Sequence, residues 1–372
     1  MDFDFTDEQT QLREAVHKWV EKAYTFERRK TIVANGGFDR QVWGELAELG
    51  LMGLTVPEAD GGLGMGAVES MVVLEELGKG LVLEPYVQAL IATQFLVKHA
   101  SPEVKETWLG PLIAGESVIA LAHMERGARY RLAPAATQAV EKEGGYLLTG
   151  QKSLVPIGDR ADAWIVPAQH LGATALFIVE RQAAGVQLQA YITQDGSRAA
   201  ELTLENTPAQ LLTKDGDDAL QQAAYIGMAS VCAEGVGVME QTVALTAEYL
   251  NQRKQFGVVI ASFQALRHRM ADMKMQLELG RSMNYYAWLK LDEPVAIERK
   301  LALSRAKYQL GQSMRYVGQQ SVQLHGGIGV TDEYIGSHYF KKLTQLEMTW
   351  GDSLYHLGII SENMQATAGV TA

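Results

Sequence analysis

The sequence predicts a mainly α-helical protein with a central β domain, and three observations along the chain indicate this fold class. Apolar residues recur at helical spacing in the first third of the chain. Near residue 116, short apolar runs separated by turn formers replace this pattern, and the helical period returns from about residue 218. This order predicts an N-terminal helical domain (1–115), a middle β-barrel domain (116–215) and a C-terminal helical bundle domain (216–372).

The N-terminal domain is predicted to begin with a capped helix. Thr6 and Gln9 fit a capping box, in which each side chain satisfies a backbone N–H group of the other residue. Further helical patterns cover residues 40–49 and 66–78, and a stretch rich in turn formers at 57–64 separates them. The apolar residues that follow the capping box at helical spacing are Leu12, Val16, Trp19 and Ala23.

The middle domain is predicted to be a compact antiparallel sheet or barrel. Turn signals at Gly144-Gly145 and Gly158-Asp159 separate short apolar runs, as expected between neighbouring strands. The runs cover residues 118–122, 146–149, 163–166, 175–179 and 186–188.

The C-terminal domain is predicted to be a bundle of the four-helix type. Its long helical pattern has an apolar face that needs partner helices to cover it. The methionines on this face are typical of core filling rather than of a ligand site. The apolar face consists of Leu266, Met270, Met273, Leu277 and Trp288.

Composition and charge exclude several classes of protein. With 47% hydrophobic residues and a net charge of −11, the chain is neither disordered nor suited to nucleic acid as its main partner. Cys232 is the only cysteine, which excludes an internal disulfide and a cysteine-based metal site; we expect a buried thiol and no metal. No stretch approaches the roughly 20 apolar residues of a membrane span. We therefore expect a cytoplasmic protein without a membrane partner.

Two C-terminal segments carry a resemblance to a known family. Arg253-Lys254-Gln255-Phe256-Gly257 is followed by Phe263-Gln264-Ala265, and later by Gln323-Leu324-His325-Gly326-Gly327-Ile328-Gly329. Together they resemble the C-terminal bundle of the acyl-CoA dehydrogenases. Residues 5–9 and 56–64 match the N-terminal domain of the same family. The resemblance therefore covers nearly the whole chain and implies its order of helices, strands and helices.

The resemblance implies a role in binding FAD. In that family these two segments reach across a subunit interface and hold the pyrophosphate and adenine half of an FAD in the neighbouring subunit. Arg253 supplies a fixed charge and Phe256 an apolar face, while Gly326 and Gly327 let the backbone approach the cofactor. Gln323 belongs to the same set. The alternative is a surface arginine and a glycine pair that merely ends a helix.

The segment that contacts the flavin ring departs from the family pattern. Members usually open the middle domain with Thr-Glu-Pro-x-x-Gly-Ser. Counted without gaps from Lys152, the Thr is Met124, the Pro is Arg126 and the Ser is Tyr130. Arg129 replaces a glycine whose small size the family's site uses. The cleft of this chain is therefore expected to be degenerate.

Two further cleft segments are altered as well. Leu154 and Pro156 stand where the family has the Trp and Thr of a Trp-Ile-Thr segment. Leucine cannot stack like an indole, and proline has no backbone N–H to donate. Met228 replaces an arginine that usually contacts the CoA-bearing ligand.

The catalytic base is missing from both positions that the family uses. Removing a proton alpha to a thioester requires a carboxylate, but Trp350 and Gly227 occupy these two positions. Asp352 is a substitute whose direction on a helix differs from that of residue 350 by about 200 degrees. Glu234 lies seven residues past Gly227 on the same helical face, in an apolar run where an unpaired carboxylate is costly.

These departures predict an FAD-dependent acyl-CoA dehydrogenase in which this chain is the non-catalytic subunit. The expected partners are a related acyl-CoA dehydrogenase subunit and an acyl-CoA substrate, which the partner binds. Heteromeric members of this kind act on bulky acyl groups such as steroid side chains and dicarboxylates. Two alternatives remain: a self-sufficient homo-oligomer with Asp352 or Glu234 as the base, and a structural subunit that lost the cofactor.

Overall fold

A computed structural model describes residues 5–142 and 144–367, and the chain divides into two compact units. One unit, here the bundle unit, is drawn from the ranges 1–29, 67–82 and 228–372. The other, the barrel unit, is drawn from 30–66 and 83–227. The division into three domains that the sequence predicts stays a prediction, because compactness alone does not define a domain.

Helices make up most of the bundle unit and flank the strands of the barrel unit. The predicted capping box at Thr6 is present, with the Thr6 N–H donating to Gln9 Oε1 at 3.0 Å and the Gln9 N–H to Thr6 Oγ1 at 3.2 Å. In chain order the helices are α1 (Asp7–Ala23), α2 (Phe26–Ala34), α3 (Arg40–Glu48), α4 (Ala67–Lys79), α5 (Tyr86–His99), α6 (Pro102–Ile113), α7 (Gly216–Gln252), α8 (Gln264–Leu289), α9 (Ala296–His325), α10 (Ile335–Met348) and α11 (Ser353–Thr367).

Glycines permit the closest helix crossings in the bundle unit. A Cβ built on Gly237 of α7 would lie 1.9 Å from the Glu75 carbonyl oxygen of α4. A Cβ on Gly280 of α8 would lie 2.9 Å from the Met239 side chain. A larger residue at Gly237 would push α4 and α7 apart, because it would meet backbone, whereas one at Gly280 would require the Met239 side chain to move. On α8, the predicted apolar face is buried at Met273, Leu277 and Trp288 and half-buried at Leu266 and Met270.

The strands of the barrel unit form one sheet that closes on itself. Strand order is β1-β4-β2-β3-β7-β5, β5 pairs again with β4, and β6 lies beside β7. Most pairs are antiparallel as predicted, but β4 pairs in parallel with β1 and β2. The spacing of apolar runs does not predict this parallel pairing, because the paired strands lie far apart in sequence. The strands are β1 (Ile119–Leu121), β2 (Gln138–Lys142), β3 (Gly145–Pro156), β4 (Ala163–His170), β5 (Ala173–Glu180), β6 (Val186–Ile192) and β7 (Arg198–Thr213).

Across residues 5–142 and 144–367, no helix is both long enough and apolar enough to cross a bilayer. The same residues contain no cluster of three or more His, Cys, Asp or Glu side chains placed to hold a metal ion.

Candidate cofactor and catalytic sites

A short hairpin presents Phe256 at one end of the bundle unit. It follows α7 and consists of β8 (Lys254–Gln255) and β9 (Val258–Val259), joined by Phe256 and Gly257. Both turn residues have positive φ, 54° and 81°, as a two-residue type I′ turn requires. The left-handed conformation costs a residue other than glycine about 1–2 kcal/mol. Phe256 therefore weakens the turn it occupies.

The Phe256 side chain makes few contacts that could offset this cost. Its ring is 91% exposed and contacts Phe263 edge-on at 6.2 Å between ring centroids. A strained and exposed phenylalanine indicates a role in binding rather than in folding.

Arg253 lies between α7 and the hairpin, and its backbone is fixed. Its N–H donates to the Tyr249 carbonyl oxygen at 2.9 Å, and its own carbonyl accepts from the Ile260 N–H at 2.9 Å. The guanidinium is exposed and forms no hydrogen bond or ion pair with residues 5–142 or 144–367. The Arg253 guanidinium is therefore available to bind an anion.

The glycine loop after α9 is open on its outer side. Gly326 has φ 62° and ψ −139°, a conformation that essentially only glycine adopts. A Cβ on Gly326 or Gly327 would meet no described atom within 4 Å, so packing within this chain does not require glycine at Gly327. Both glycines and Gln323 are exposed. The absence of side chains leaves room for a ligand to approach the backbone.

Contacts between α7 and α9 bring the two segments together. The rings of Tyr249 and His325 stack with centroids 4.5 Å apart, and the hydroxyls of Thr246 and Ser321 are 2.9 Å apart. All five cofactor-binding residues predicted from the sequence therefore lie at the same end of the bundle unit. Sequence reasoning gave His325 no role, although it lies inside the motif.

In the barrel unit, Glu125 lies in the segment that the sequence predicts to be altered, and it is buried. Its carboxylate accepts hydrogen bonds from the backbone N–H groups of Ala135, Ala136 and Thr137, from the Thr137 hydroxyl and from Lys152 Nζ, at 2.7–3.1 Å. Burial alone would raise the pKa of Glu125, but the bonds from Lys152 and Thr137 lower it to about 2. Burial lowers the pKa of Lys152 to about 8, although Glu125 opposes this. The Glu125 carboxylate thus joins residues 135–137 to Lys152 of β3.

Two residues of the segments that the sequence predicts to be altered have a left-handed backbone. Arg129 has φ 51° and is exposed. Leu154 also has φ 51° and lies at a register shift between β3 and β7. Its side chain is 46% exposed. Both positions therefore combine an exposed side chain with a backbone conformation that favours glycine.

In the bundle unit, buried side chains hold the turn between α10 and α11, which contains Trp350, the residue that the sequence predicts at the position of the catalytic base. Trp350 has φ 59° and Gly351 φ 110°. Lys307 Nζ donates to the carbonyl oxygens of Glu347 at 2.7 Å and Gly351 at 2.8 Å. His356 Nε2 donates to the Trp350 carbonyl at 3.0 Å. Burial lowers the pKa of His356 to about 3, with Lys307 adding to the shift, so this histidine is neutral.

The two substitute carboxylates are engaged in structural contacts within the bundle unit. Asp352 Oδ1 accepts from the Tyr355 N–H at 2.8 Å, which caps the N-terminus of α11. Glu234 Oε1 lies 2.6 Å from Lys342 Nζ, and both side chains are nearly buried. This ion pair with Lys342 offsets the cost of burying the Glu234 carboxylate among apolar residues. Gly227 and Met228 are buried within α7.

The cap predicts how Asp352 responds to substitution. Asp352→Ala should lower the free energy of unfolding by about 1 kcal/mol, since alanine leaves the α11 N-terminus uncapped. Asp352→Asn keeps a capping oxygen and should change it by a few tenths of a kcal/mol at most. Urea unfolding followed by circular dichroism measures both. A loss of activity in the assembled enzyme for the stable Asn variant would instead identify Asp352 as a base.

Family models match the two helical regions of the chain, and a relative matches nearly its full length. The domain family described as "Acyl-CoA dehydrogenase, N-terminal domain" matches residues 6–116, and "Acyl-CoA dehydrogenase, C-terminal domain" matches residues 214–365. Acyl-CoA dehydrogenase FadE27 of Mycobacterium tuberculosis is 28% identical over 99% of this chain and 100% of its own length.

Solved structures of the same kind are also similar. A chain of the ChsE4-ChsE5 complex from Mycobacterium tuberculosis matches with a TM-score of 0.89 and 27% identity, over 100% of both chains. The Tcur3481-Tcur3483 steroid ACAD matches with a TM-score of 0.88 and 29% identity, over 98% of this chain and 99% of that one.

Proposed function

Because this chain belongs to the acyl-CoA dehydrogenase family, we propose that it is the non-catalytic, FAD-completing subunit of a heteromeric acyl-CoA dehydrogenase. The enzyme would desaturate an acyl-CoA thioester between its alpha and beta carbons. FAD, when bound, supplies the hydride acceptor of this reaction. The single observation that carries the proposal is the exposed set Arg253, Phe256, Gln323, Gly326 and Gly327, here called the FAD cradle.

The chemistry of the cradle suits the outer half of the cofactor. The Arg253 guanidinium pairs with pyrophosphate oxygens, and each charge-assisted hydrogen bond is worth about 1.5–3 kcal/mol. Phe256 offers an apolar face to adenine, and the open backbone at Gly326 and Gly327 admits close approach. The conformational cost at Phe256 argues against a purely structural subunit, because a scaffold without cofactor gains nothing from it.

Catalysis is assigned to the partner subunit because this chain offers no available base at the family positions. Trp350 cannot accept a proton, since the indole has only an N–H donor. Asp352 caps a helix and Glu234 pairs with Lys342, which disfavours a self-sufficient enzyme that uses either carboxylate. Leu154 and Arg129 leave the flavin ring without its usual contacts on this chain. The partner is a related subunit that retains Thr-Glu-Pro and the catalytic Glu.

The substrate class is proposed from similarity. The similar Tcur3481-Tcur3483 protein is a steroid ACAD, and ChsE4-ChsE5 is a complex of two chains. A bulky acyl-CoA, such as one with a steroid side chain or a dicarboxylate, is the substrate we propose for the assembled enzyme. We place the complex in the cytoplasm, in lipid or steroid catabolism.

Flavin content tests the proposal directly. The chain produced alone and supplied with excess FAD should retain little flavin, because its own cleft lacks the ring contacts. Co-production with a family member that retains Thr-Glu-Pro should give a yellow complex with fewer FAD molecules than chains. Flavin absorbance of the desalted proteins measures the ratio. A full flavin complement in the lone, homogeneous chain would overturn the proposal.

A further inference from the structure

The bundle end contains a buried histidine to which the proposed function gives no role. His325 is the last residue of α9 and is 3% exposed. Its Nδ1 lies 2.8 Å from the Ser321 carbonyl oxygen, and its Nε2 lies 3.0 Å from the Tyr334 hydroxyl. The ring also contacts the Tyr249 and Tyr334 rings, with centroids at 4.5 Å and 5.1 Å. One side chain therefore links α7, α9 and the segment before α10.

These contacts determine where the ring hydrogen lies. A carbonyl oxygen only accepts, so Nδ1 carries the hydrogen that it donates to Ser321. Burial lowers the pKa of His325, so Nε2 remains unprotonated and accepts from the Tyr334 hydroxyl. Tyr334 keeps its proton because burial, and then the Glu248 carboxylate, raise its pKa to about 12. The ring is thus a fixed Nδ1–H tautomer.

Two glycines permit tight backbone packing beside the ring. A Cβ on Gly329 would lie 2.9 Å from the His325 Cβ and 3.0 Å from the Val322 carbonyl oxygen, so the turn after α9 requires glycine there. A Cβ on Gly336 would lie 2.8 Å from the ring of Tyr334, whose hydroxyl donates to His325. At Gly327, in contrast, a Cβ would meet no described atom within 4 Å. The glycines near His325 are therefore of two kinds: some leave room for a ligand, and others permit close packing within the chain.

We propose that His325, as its Nδ1–H tautomer, is a positioning residue of the FAD cradle. It fixes the end of α9, which carries Gly326 and Gly327, against the end of α7, which leads into Arg253. Binding groups on separate segments must be held within about 0.5 Å of their working geometry. The Thr246–Ser321 contact joins the same two helices one turn earlier, and the His325 ring lies directly beside the glycine loop. This inference rests on the proposed function and adds a residue that itself touches no cofactor.

The tautomer can be tested on the lone chain. In the protein labelled with ¹⁵N-histidine, the His325 resonances, assigned by their loss in His325→Phe, should show Nδ1 protonated and Nε2 unprotonated at pH 7. Tyr334→Phe should shift the Nε2 resonance, because it removes the donated hydrogen bond and keeps the ring. An Nε2–H tautomer or an imidazolium at this pH overturns the inference.

The positioning role is tested by the FAD affinity of the co-produced complex. His325→Phe keeps an aromatic ring beside both tyrosines and removes both hydrogen bonds, so the FAD Kd should rise at least tenfold. His325→Gln places an acceptor near the Nε2 position and should recover part of this loss. Leu310→Ala is the matched control: it destabilises the buried core of α9, 15 residues or about 22 Å along the helix from His325, and should leave the Kd within twofold.

The outcomes separate this inference from the proposed function. If His325→Phe binds FAD within twofold of wild type while Arg253→Ala loses it, positioning by His325 is wrong and the proposed function stands. If Arg253→Ala also keeps FAD, the proposed function fails and the inference with it. A tenfold loss in Leu310→Ala would show a general stability effect and overturn the inference. Should His325→Phe fail to fold, Tyr334→Phe takes its place with an expected threefold rise, and an unchanged Kd overturns the inference.

Discussion

Replacing Arg253 with alanine is expected to strip FAD from the assembled enzyme while this chain keeps its fold. In the proposed complex the guanidinium forms charge-assisted hydrogen bonds to the pyrophosphate, each worth about 1.5–3 kcal/mol. Losing one bond raises the FAD Kd by roughly 10- to 150-fold. The free energy of unfolding of the lone chain should stay within about 0.5 kcal/mol, since the side chain is exposed.

Two variants make this measurement specific. Arg253→Lys keeps the charge but loses the planar fork and should fall between wild type and alanine. Arg305→Ala removes another exposed arginine, 20 residues or about 30 Å along α9 from His325, and should leave the Kd unchanged. Fluorescence of released flavin during equilibrium dialysis reports the Kd. Retention of FAD by Arg253→Ala at wild-type affinity would show that Arg253 is only a surface charge.

Replacing Glu125 with alanine is expected to destabilise the barrel unit strongly. Five hydrogen bonds to the carboxylate are lost, and Lys152, which is 0% exposed, is left as a buried charge without its partner. Breaking a buried pair in this way costs about 3–5 kcal/mol. Thermal unfolding followed by circular dichroism should show a fall in Tm and partial loss of β structure. Glu141→Ala, an exposed change on β2, should shift stability by less than about 0.5 kcal/mol.

The same pair gives a pH dependence with a definite sign. The folded pKa of Glu125, about 2, lies below its ordinary value of 4.5. Its contribution to stability is therefore fully present above pH 4.5 and is lost as the pH falls from 4.5 toward 2. The Glu125→Ala variant should lack this part of the acid transition. An identical acid profile in both proteins would show that the carboxylate is not stabilised by its partners.

The sequence was sufficient for those parts of the fold that depend on local chemistry. The capping box at Thr6, the buried thiol of Cys232 and the order of helices, strands and helices are all confirmed. The parallel pairing of β4 was not predicted, because pairing between segments tens of residues apart leaves no periodic signal.

The sequence likewise predicted some residues of the candidate site and not others. The positions of Arg253 and the glycine loop followed from the motifs. The left-handed backbone at Trp350 could not be read from the sequence, since tryptophan ordinarily avoids it. The role of His325 could not be predicted, because a histidine before a glycine pair carries no signal that separates it from an ordinary helix end. Its contact with the Tyr249 ring joins α9 to α7, and its hydrogen bond and ring contact with Tyr334 join α9 to the segment before α10.

The interrupted course of the chain through the bundle unit has a consequence for biosynthesis. Glu75 on α4 accepts a hydrogen bond from Asn284, 209 residues later, and Arg29 lies 3.2 Å from the His338 ring, 309 residues later. On the ribosome, the N-terminal helices therefore emerge long before the helices that cover them. Contacts this distant in sequence slow folding. Until the later helices are made, the uncovered apolar surface of the N-terminal helices is prone to aggregation. We therefore expect folding of the nascent chain to depend on chaperones, because the cradle is complete only after nearly the whole polypeptide has been made.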